Sequence, residues 1–437
     1  MVQGTGTPTT TDPPRPEVFE PVEQPRLSLG EIRRIAQRPG LRNIWLAQIV
    51  SQLGDGMFTT AIALAVLNRT NSGTALSLTV IAQFLPFLFL GIVAGALVDR
   101  WERRLTMVVS DIIRGGVVLL IPILDWLGVL HPSSYAIVAF LLTTAGLFFD
   151  PAKSAIVPTL VSRASLARTN ALLESTRQVL FVAGPAVGGV LIAVVGIGGV
   201  FIADGATFFI SALILFGVPR ARPEEAPIPE GEDETGGEGL GTAIRRGLDY
   251  IRTNRLLRLI VGVGSALNFF LSPLPILIPL FFTQVLHTGS SAFGAAISII
   301  FIGFLIGAVL VGAFAPRVGK GWLTVFGVLL AGVATGLFAL GPPVIVVLGL
   351  ALLGGVAIGA LNVCESTVIQ ENAPDAMRGR VFAVYESVSQ GGRAIAVALS
   401  GVLADLIGVS WLFLAVGMLV LVCGGALVLS PTIRAAK

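Results

Sequence analysis

Twelve stretches of this chain are each about 20 residues long and almost wholly apolar, the length a helix needs to cross the hydrocarbon core of a bilayer. Their limits are 43–67, 74–98, 105–127, 135–156, 170–195, 197–217, 257–284, 291–315, 322–340, 343–369, 381–407 and 409–430. Charged residues make up only 13% of the 437 positions and hydrophobic ones 54%. That leaves too little polar surface to cover a soluble protein of this size. The long apolar runs are also unlike the weak, alternating hydropathy of a porin-type barrel. The expected fold class is therefore an all-α membrane protein with twelve transmembrane helices.

Basic residues set the expected orientation. Of the 29 lysines and arginines, 25 fall on one side, made of the N-terminal tail, the even-numbered connections with the adjoining span ends (Lys153 and Arg258), and the C-terminus. Arg69 lies on the other side, and Arg114, Arg177 and Arg393 lie within spans. The excess of positive charge on cytoplasmic loops then places both termini in the cytoplasm of a cell (inner or plasma) membrane protein. Residues 1–40 read as a cytoplasmic tail, of which 1–25 are polar, with no apolar signal core, and are expected to be disordered. Six spans follow in 41–217 and six more in 257–430, with a short tail at 431–437. Between them, 218–256 begins acidic and rich in Pro and Gly, as a linker does. It continues as an amphipathic helix in which Ile244, Leu248, Ile251 and Leu256 alternate with Arg245, Arg246, Arg252 and Arg255. Such a helix suits an anionic membrane surface.

The two halves are duplicates. Residues 150–196 align on 362–408 without gaps at a constant offset of 212, matching Ser154 to Ser366, Arg168 to Arg380, Glu174 to Glu386, Ser175 to Ser387 and Gln178 to Gln390. Gly189 and Gly196 fall on Gly401 and Gly408. A weaker match places Gly95–Arg103 on Gly312–Lys320. Two pseudo-symmetric six-helix bundles, with a substrate path between them, are the architecture of many secondary transporters.

Span two ends in Gly95-Ala-Leu-Val-Asp99-Arg100-Trp-Glu102-Arg103-Arg104. This resembles the signature loop of the major facilitator superfamily, G-x-L-x-D-R-x-G-R-R, with Glu102 in place of the usual glycine. Asp99 can face a helix N-terminus or an arginine. The arginines can bridge to acids on neighbouring helices, with Asp150 as a candidate, so that the cluster latches one conformation of the rocking bundle. In the second half Pro316 stands at the position of Asp99. The stretch Leu147-Phe-Phe-Asp150-Pro-Ala-Lys-Ser, with Asn170-Ala171, Asp204-Gly-Ala-Thr, Gly54-Asp55 and Arg378-Gly-Arg380, is similar to the branch holding the enterobactin exporters and macrolide-efflux proteins. The resemblance runs from Leu41 to about Leu429. Span five carries Gly184-Pro185-Ala-Val-Gly188-Gly189, similar to part of the antiporter motif, although Leu180 occupies its upstream glycine position. Such glycines permit close packing against the other bundle.

Ionisable residues inside spans cost free energy and are functional candidates by default. Asp55 lies thirteen residues after Arg42, or roughly 20 Å along a helix, near mid-membrane. It either binds and releases a coupling proton or makes a permanent structural pair. Arg393, at similar depth in span eleven, is the candidate partner of Asp55 or an anchor for an anionic substrate. Asp111 with Arg114, and Glu174 with Arg177, are three residues apart and read as local pairs belonging, with Glu386, to an inner gate. Asp204 and Asp405 stand near span ends, where structural or interfacial roles are expected. In span seven, Ser272-Pro273-Leu-Pro275 and Pro279 follow Asn268, Phe269 and Phe270. The prolines predict a broken helix lining the substrate cavity.

Two cysteines within apolar runs and two histidines beside loops offer no metal centre, cofactor site or nucleophile–base pair, and no phosphate-cradling G-x-x-x-x-G-K occurs. A membrane enzyme and a non-transporting sensor are accordingly remote. The basic residues follow topology, so nucleic acid is not an expected partner, and no obligatory protein partner is implied. The expected function is a secondary active transporter that exports amphipathic drug- or siderophore-like small molecules across the bilayer by alternating access, in exchange for protons. The competing readings within the superfamily are a phospholipid flippase and a small-solute importer.

Overall fold

The computed structural model describes residues 37–98, 100–220, 240–288, 290–372 and 375–431. The N-terminal tail, most of the acidic linker, Asp99 and the last residues lie outside the described residues. Among the described residues every regular element is helical. In the first half these are α1 (Pro39–Thr70), α2 (Gly73–Val98), α3 (Arg103–Trp126), α4 (Pro132–Gly146), α5 (Phe149–Leu160) and α6 (Arg163–Leu215). A linker helix, α7 (Leu240–Thr253), leads into α8 (Arg255–Leu271) and α9 (Leu274–Leu280). The second half continues with α10 (Ser290–Val318), α11 (Lys320–Leu337), α12 (Val344–Asn372), α13 (Asp375–Ile407) and α14 (Val409–Leu429).

Eleven described helical stretches are long and apolar enough to cross a membrane. One of them, within α6, counts twice. At 53 residues α6 would be about 80 Å long if straight, but Gly196 interrupts it at φ 74°, ψ 172° and turns the chain back. The repeat-matched Gly408 takes φ 89°, ψ 149° between α13 and α14. No residue with a Cβ adopts this region readily, so both halves make the same hairpin with the same residue.

Spans four and seven are each broken, and proline explains both breaks. A proline ring clashes with the carbonyl four residues back. Pro151 therefore stops α4 near Leu147, and Pro275 stops α8 at Leu271, the last residue of that helix. Phe281–Val285 then forms a single π turn. Elsewhere the ends are set by caps. α1 starts with Pro39 in its first turn and ends on Asn71 at φ 47°. Glu102 caps α3, its carboxylate accepting from the Leu105 amide at 2.9 Å. Its counterpart in the weaker repeat is Gly319, at φ 85°. The departure from the signature loop is thus a change of cap: a side chain in the first half, a left-handed backbone in the second.

Within the first half α1 and α3 pack on α6, and α2 on α4; within the second, α10 packs on α12 and α11 on α14. The halves meet mainly along two pairs, α6 with α10 and α2 with α13, with smaller contacts of α9 on α1 and α2. The contacts are backbone-close where glycines face each other. A Cβ on Gly189 would overlap Gly294, and one on Gly401 would overlap the Gly73 carbonyl. Both lie toward the arginine-poor face. On the arginine-rich half of the same central helices, Glu174, Ser175, Arg177 and Gln178 of α6 and Glu386, Ser387 and Gln390 of α13 are exposed. The path between the bundles is open on the arginine-rich face and closed on the other. The linker helix α7 buries Ile251 against Val261, Ile369, Val381 and Val384, so part of its apolar face covers the second bundle instead of lipid.

Candidate functional site

In the first bundle, one guanidinium gathers three carboxylates. Arg114 of α3 meets Asp55 of α1 at 2.5 Å and Asp111, one turn back on its own helix, at 3.6 Å. Ser211 of α6 donates to the other oxygen of Asp111 at 2.6 Å. Phe208 of α6 lies beneath the guanidinium, its ring centroid 4.1 Å from Cζ, a cation–π contact. The third acid is Asp204, fully buried on α6. Its Oδ1 is 3.5 Å from Thr207 Oγ1, while its Oδ2 is buried without a hydrogen-bond partner. Gly54 makes room for it, since a Cβ there would overlap both Asp204 Oδ1 and Thr207 Oγ1. The Gly54-Asp55 pair therefore acts twice: the glycine admits Asp204 and the acid holds Arg114. Exposure separates the acids, with the Asp55 side chain 38% exposed and Asp111 at 0%. Asp55 is the partly exposed member.

Asp55 and Arg393 are not paired with each other. Arg393 of α13 donates to Asn268 Oδ1 of α8 at 3.2 Å. Asn268 in turn donates from Nδ2 to the Gly264 carbonyl and to the Tyr385 hydroxyl, each at 3.0 Å. Tyr385 donates to Glu365 of α12 at 2.9 Å. Of the other residues read as cavity-lining in span seven, Phe269 packs edge-to-face on Phe270 and lies against Gly392. Pro273 is buried and Pro275 exposed at the break between α8 and α9.

The residues read as a gate are spread out. Asp99 is outside the described residues, and Gly95 has open space where a Cβ would stand. Arg100 is exposed and Arg103 buried. Arg104 donates to the carbonyls of Phe216 and Val218 beyond the end of α6, where unsatisfied carbonyls and the helix dipole favour a cation. Asp150 pairs with Lys153, one turn on, at 2.8 Å. In the antiporter-type motif, Gly184 and Gly188 face Gly56 and Met57 of α1, and Thr60 donates to the Pro185 carbonyl at 3.1 Å. Of these four residues only Gly189 faces the other bundle. Glu174 and Arg177 form a local two-bond pair. Glu386 accepts from Gln390 at 2.7 Å, so these charges stand on the walls of the open half without bridging it.

The closed face is fastened by Asp405, at the end of α13. Its carboxylate accepts from Ser72 Oγ, the Gly73 and Thr74 amides and Thr74 Oγ1, at 2.7–2.9 Å. An acid of one bundle thus caps the first turn of α2 in the other. Gln284 adds bonds to Asn71. Sequence reasoning placed Asp204 and Asp405 near span ends and did not single out Glu365 or Tyr385. The offset of 212 offered one clue, since it sets Glu365 on Lys153 and so reverses the charge between the halves.

The family described as transmembrane secretion effector, within the major facilitator superfamily, matches residues 36–437. The multidrug efflux pump Tap of Mycobacterium tuberculosis is 30% identical over 402 residues, covering 90% of this chain and 93% of that protein. Macrolide efflux protein A of Streptococcus pyogenes is 25% identical, covering 86% and 92%. Among solved structures, the nucleoside transporter NupG superposes with a TM-score of 0.67 at 13% identity, over 91% of this chain and 99% of that one. A bacterial homologue of the human lysosomal transporter Spinster gives 0.69 at 15%, over 91% and 98%. With its fold, its duplicated halves and a family match across nearly its whole length, the chain belongs to the transmembrane secretion effector family of the major facilitator superfamily and is a multi-pass membrane transporter of the efflux branch, not an enzyme.

Proposed function

We propose that the protein exports amphipathic small molecules, of the drug or macrolide kind named for its relatives, in exchange for protons. Both termini and the arginine-rich face lie in the cytoplasm, following the distribution of basic residues. The observation that carries the reading is the cluster of Asp55, Asp111 and Asp204 around Arg114. Three carboxylates against one guanidinium leave excess negative charge inside the membrane, where charge is costly. Each bound proton lowers that excess by one charge, and its release restores it. Asp55 is the exchanging member because it alone combines the pair to Arg114 with exposure to the path. Cargo enters from the open, cytoplasmic half. Rocking of the bundles then carries the site to the other face, where cargo leaves and a proton binds.

The test uses everted membrane vesicles carrying the wild type or Asp55→Asn, supplied with lipophilic cations, macrolides and siderophores. Uptake by the wild type should collapse with a protonophore and be lost in the variant. Uptake that survives both treatments makes Asp55 structural and overturns antiport.

One observation favours a flippase as the second reading. A cavity of about 640 Å³ between α3 and α4 is walled by Leu105, Val109, Ile113, Val117 and Leu141, with Arg100 and Trp101 at its rim. Its volume and apolar walls suit an acyl chain with a headgroup at the arginine. Movement of a labelled phospholipid between leaflets of proteoliposomes, absent from empty vesicles, would favour this reading.

A further inference from the structure

Glu365 is an acid inside a span with no cation at its side. Among the described residues no Lys or Arg forms an ion pair with it. Lys320, on the neighbouring α11, gives its ammonium to both oxygens of Glu371. Glu365 borders a cavity of about 20 Å³ lined also by Gly264, Gly321, Thr324 and Cys364, room for one water. Position 264 makes room for the carboxylate, since a Cβ there would overlap Glu365 Oε1.

The hydrogen bonds leading away from Glu365 have a fixed direction. A guanidinium only donates, so Arg393 obliges Asn268 to present its oxygen. The amide nitrogen then points to Gly264 and Tyr385, and the Tyr385 hydrogen is left for Glu365. Every dipole is aligned from the Arg393 cation to the Glu365 carboxylate, and aligned bonds strengthen one another. The chain runs from Glu365, four residues inside the end of its span at Ile369, toward mid-membrane. Tyr385 and Arg393 are eight residues apart on α13, about 12 Å.

We infer that Glu365 is a second proton-binding site, in the bundle opposite the Asp55 cluster, and that Tyr385 and Asn268 tie its charge to Arg393 in the substrate path. The inference deepens the proton-coupled reading above and rests on it for its role in transport. The step is a simple proton transfer. Water in the cavity delivers a proton to the carboxylate, the new O–H donates to the Tyr385 oxygen, and the Tyr385 hydrogen turns to Ser389, one turn on along α13. The other polar side chains lining the cavity beside Glu365 are Thr324 on α11 and Cys364 on its own helix, while Lys320 on α11 turns to Glu371 and Asn268 on α8 to Tyr385. When Glu365 is neutral, Arg393 loses the negative pole of its chain. It is then free to hold an anionic or oxygen-rich group of the cargo.

The test is infrared difference spectroscopy of the purified full chain in lipid nanodiscs across a pH series. The wild type should show a protonated-carboxyl stretch that titrates. Glu365→Gln, which keeps size and acceptor, should lack it, and Tyr385→Phe should move its frequency. Arg393→Gln should let the band persist to higher pH, by about one unit if the link is worth the ~1.4 kcal/mol that one unit represents. Identical spectra for wild type and Glu365→Gln overturn the site, and an unmoved midpoint in Arg393→Gln overturns the link. The readout needs no transport, so its failure is separable from that of antiport. A titrating Glu365 band beside gradient-independent uptake would leave the site standing and sink the coupling.

Discussion

One guanidinium among three acids makes Arg114 the residue on which the first bundle's electrostatics turn. Removing it leaves Asp55, Asp111 and Asp204 facing one another with no cation. Breaking a buried pair costs about 3–5 kcal/mol, and Arg114→Gln should lower stability by that order, read as a large fall in the thermal unfolding midpoint in detergent. Adding Asp111→Asn should recover part of the loss, because it lowers the excess negative charge. A single variant as stable as the wild type would mean that the acids are neutralised without Arg114. Beside it, Gly54→Ala should cost about 1–3 kcal/mol through overpacking, since the new Cβ would meet Asp204 and Thr207. It should also impair export, measured in the same vesicles. At this scale the sequence marks which residues matter more readily than it marks their partners. Asp55, Arg114 and Arg393 are conspicuous as charges deep in apolar runs, but periodicity does not reveal which way each faces. Asp204 reads only as a structural or interfacial residue and Glu365 is passed over, because a charge toward an apparent span end looks cheap. The fold buries Asp204 completely and encloses Glu365 with Tyr385.

Helices and their breaks are far more legible, because apolar length, proline and glycine act locally. The long apolar runs mark all twelve crossings, and Pro275 marks the break in span seven. Less visible is the break in span four, where Pro151 stands close enough to the expected span end at 156 to pass for its boundary. The internal repeat has consequences for the backbone. Gly196 and Gly408, matched by the offset alone, share a conformation that is essentially closed to other residues. Gly408→Ala should therefore lower stability by about 1–3 kcal/mol, and Gly196→Ala by a similar amount. A thermal unfolding series on the two variants would check this, and near-zero shifts would mean that the hairpins relax to another turn. The motif of span five divides along the same lines. Three of its residues bring α6 against α1, and Gly189 alone faces α10, a distinction that depends on helix rotation and so is hidden from spacing.

Between the two halves, the whole molecule has a closed end and an open end, and one side chain makes most of the polar bonds at the closed end. Asp405 accepts four hydrogen bonds from residues 72–74 of the opposite bundle, while glycine contacts at Gly73–Gly401 and Gly189–Gly294 bring the backbones together behind it. Glycine packing is weakly directional and survives small rotations, whereas a carboxylate capping a helix start does not. Rocking to the alternative state must therefore break the Asp405 clasp first. Asp405 is solvent-exposed, so its four bonds are worth much less than buried ones, but population shifts need little: each 1.4 kcal/mol is about tenfold. Spin labels at Val129 and Leu340, both exposed at the arginine-poor face and on different bundles, would report the separation there by double electron–electron resonance. In the wild type the distance distribution should be dominated by one short population. Asp405→Ala should raise a longer population severalfold, and Asp405→Asn, which keeps one acceptor oxygen, should fall between. An unchanged distribution in Asp405→Ala would mean that the glycine contacts and the Gln284–Asn71 bonds hold this face shut without it, and the gate would then have to be sought along α6 and α10 instead.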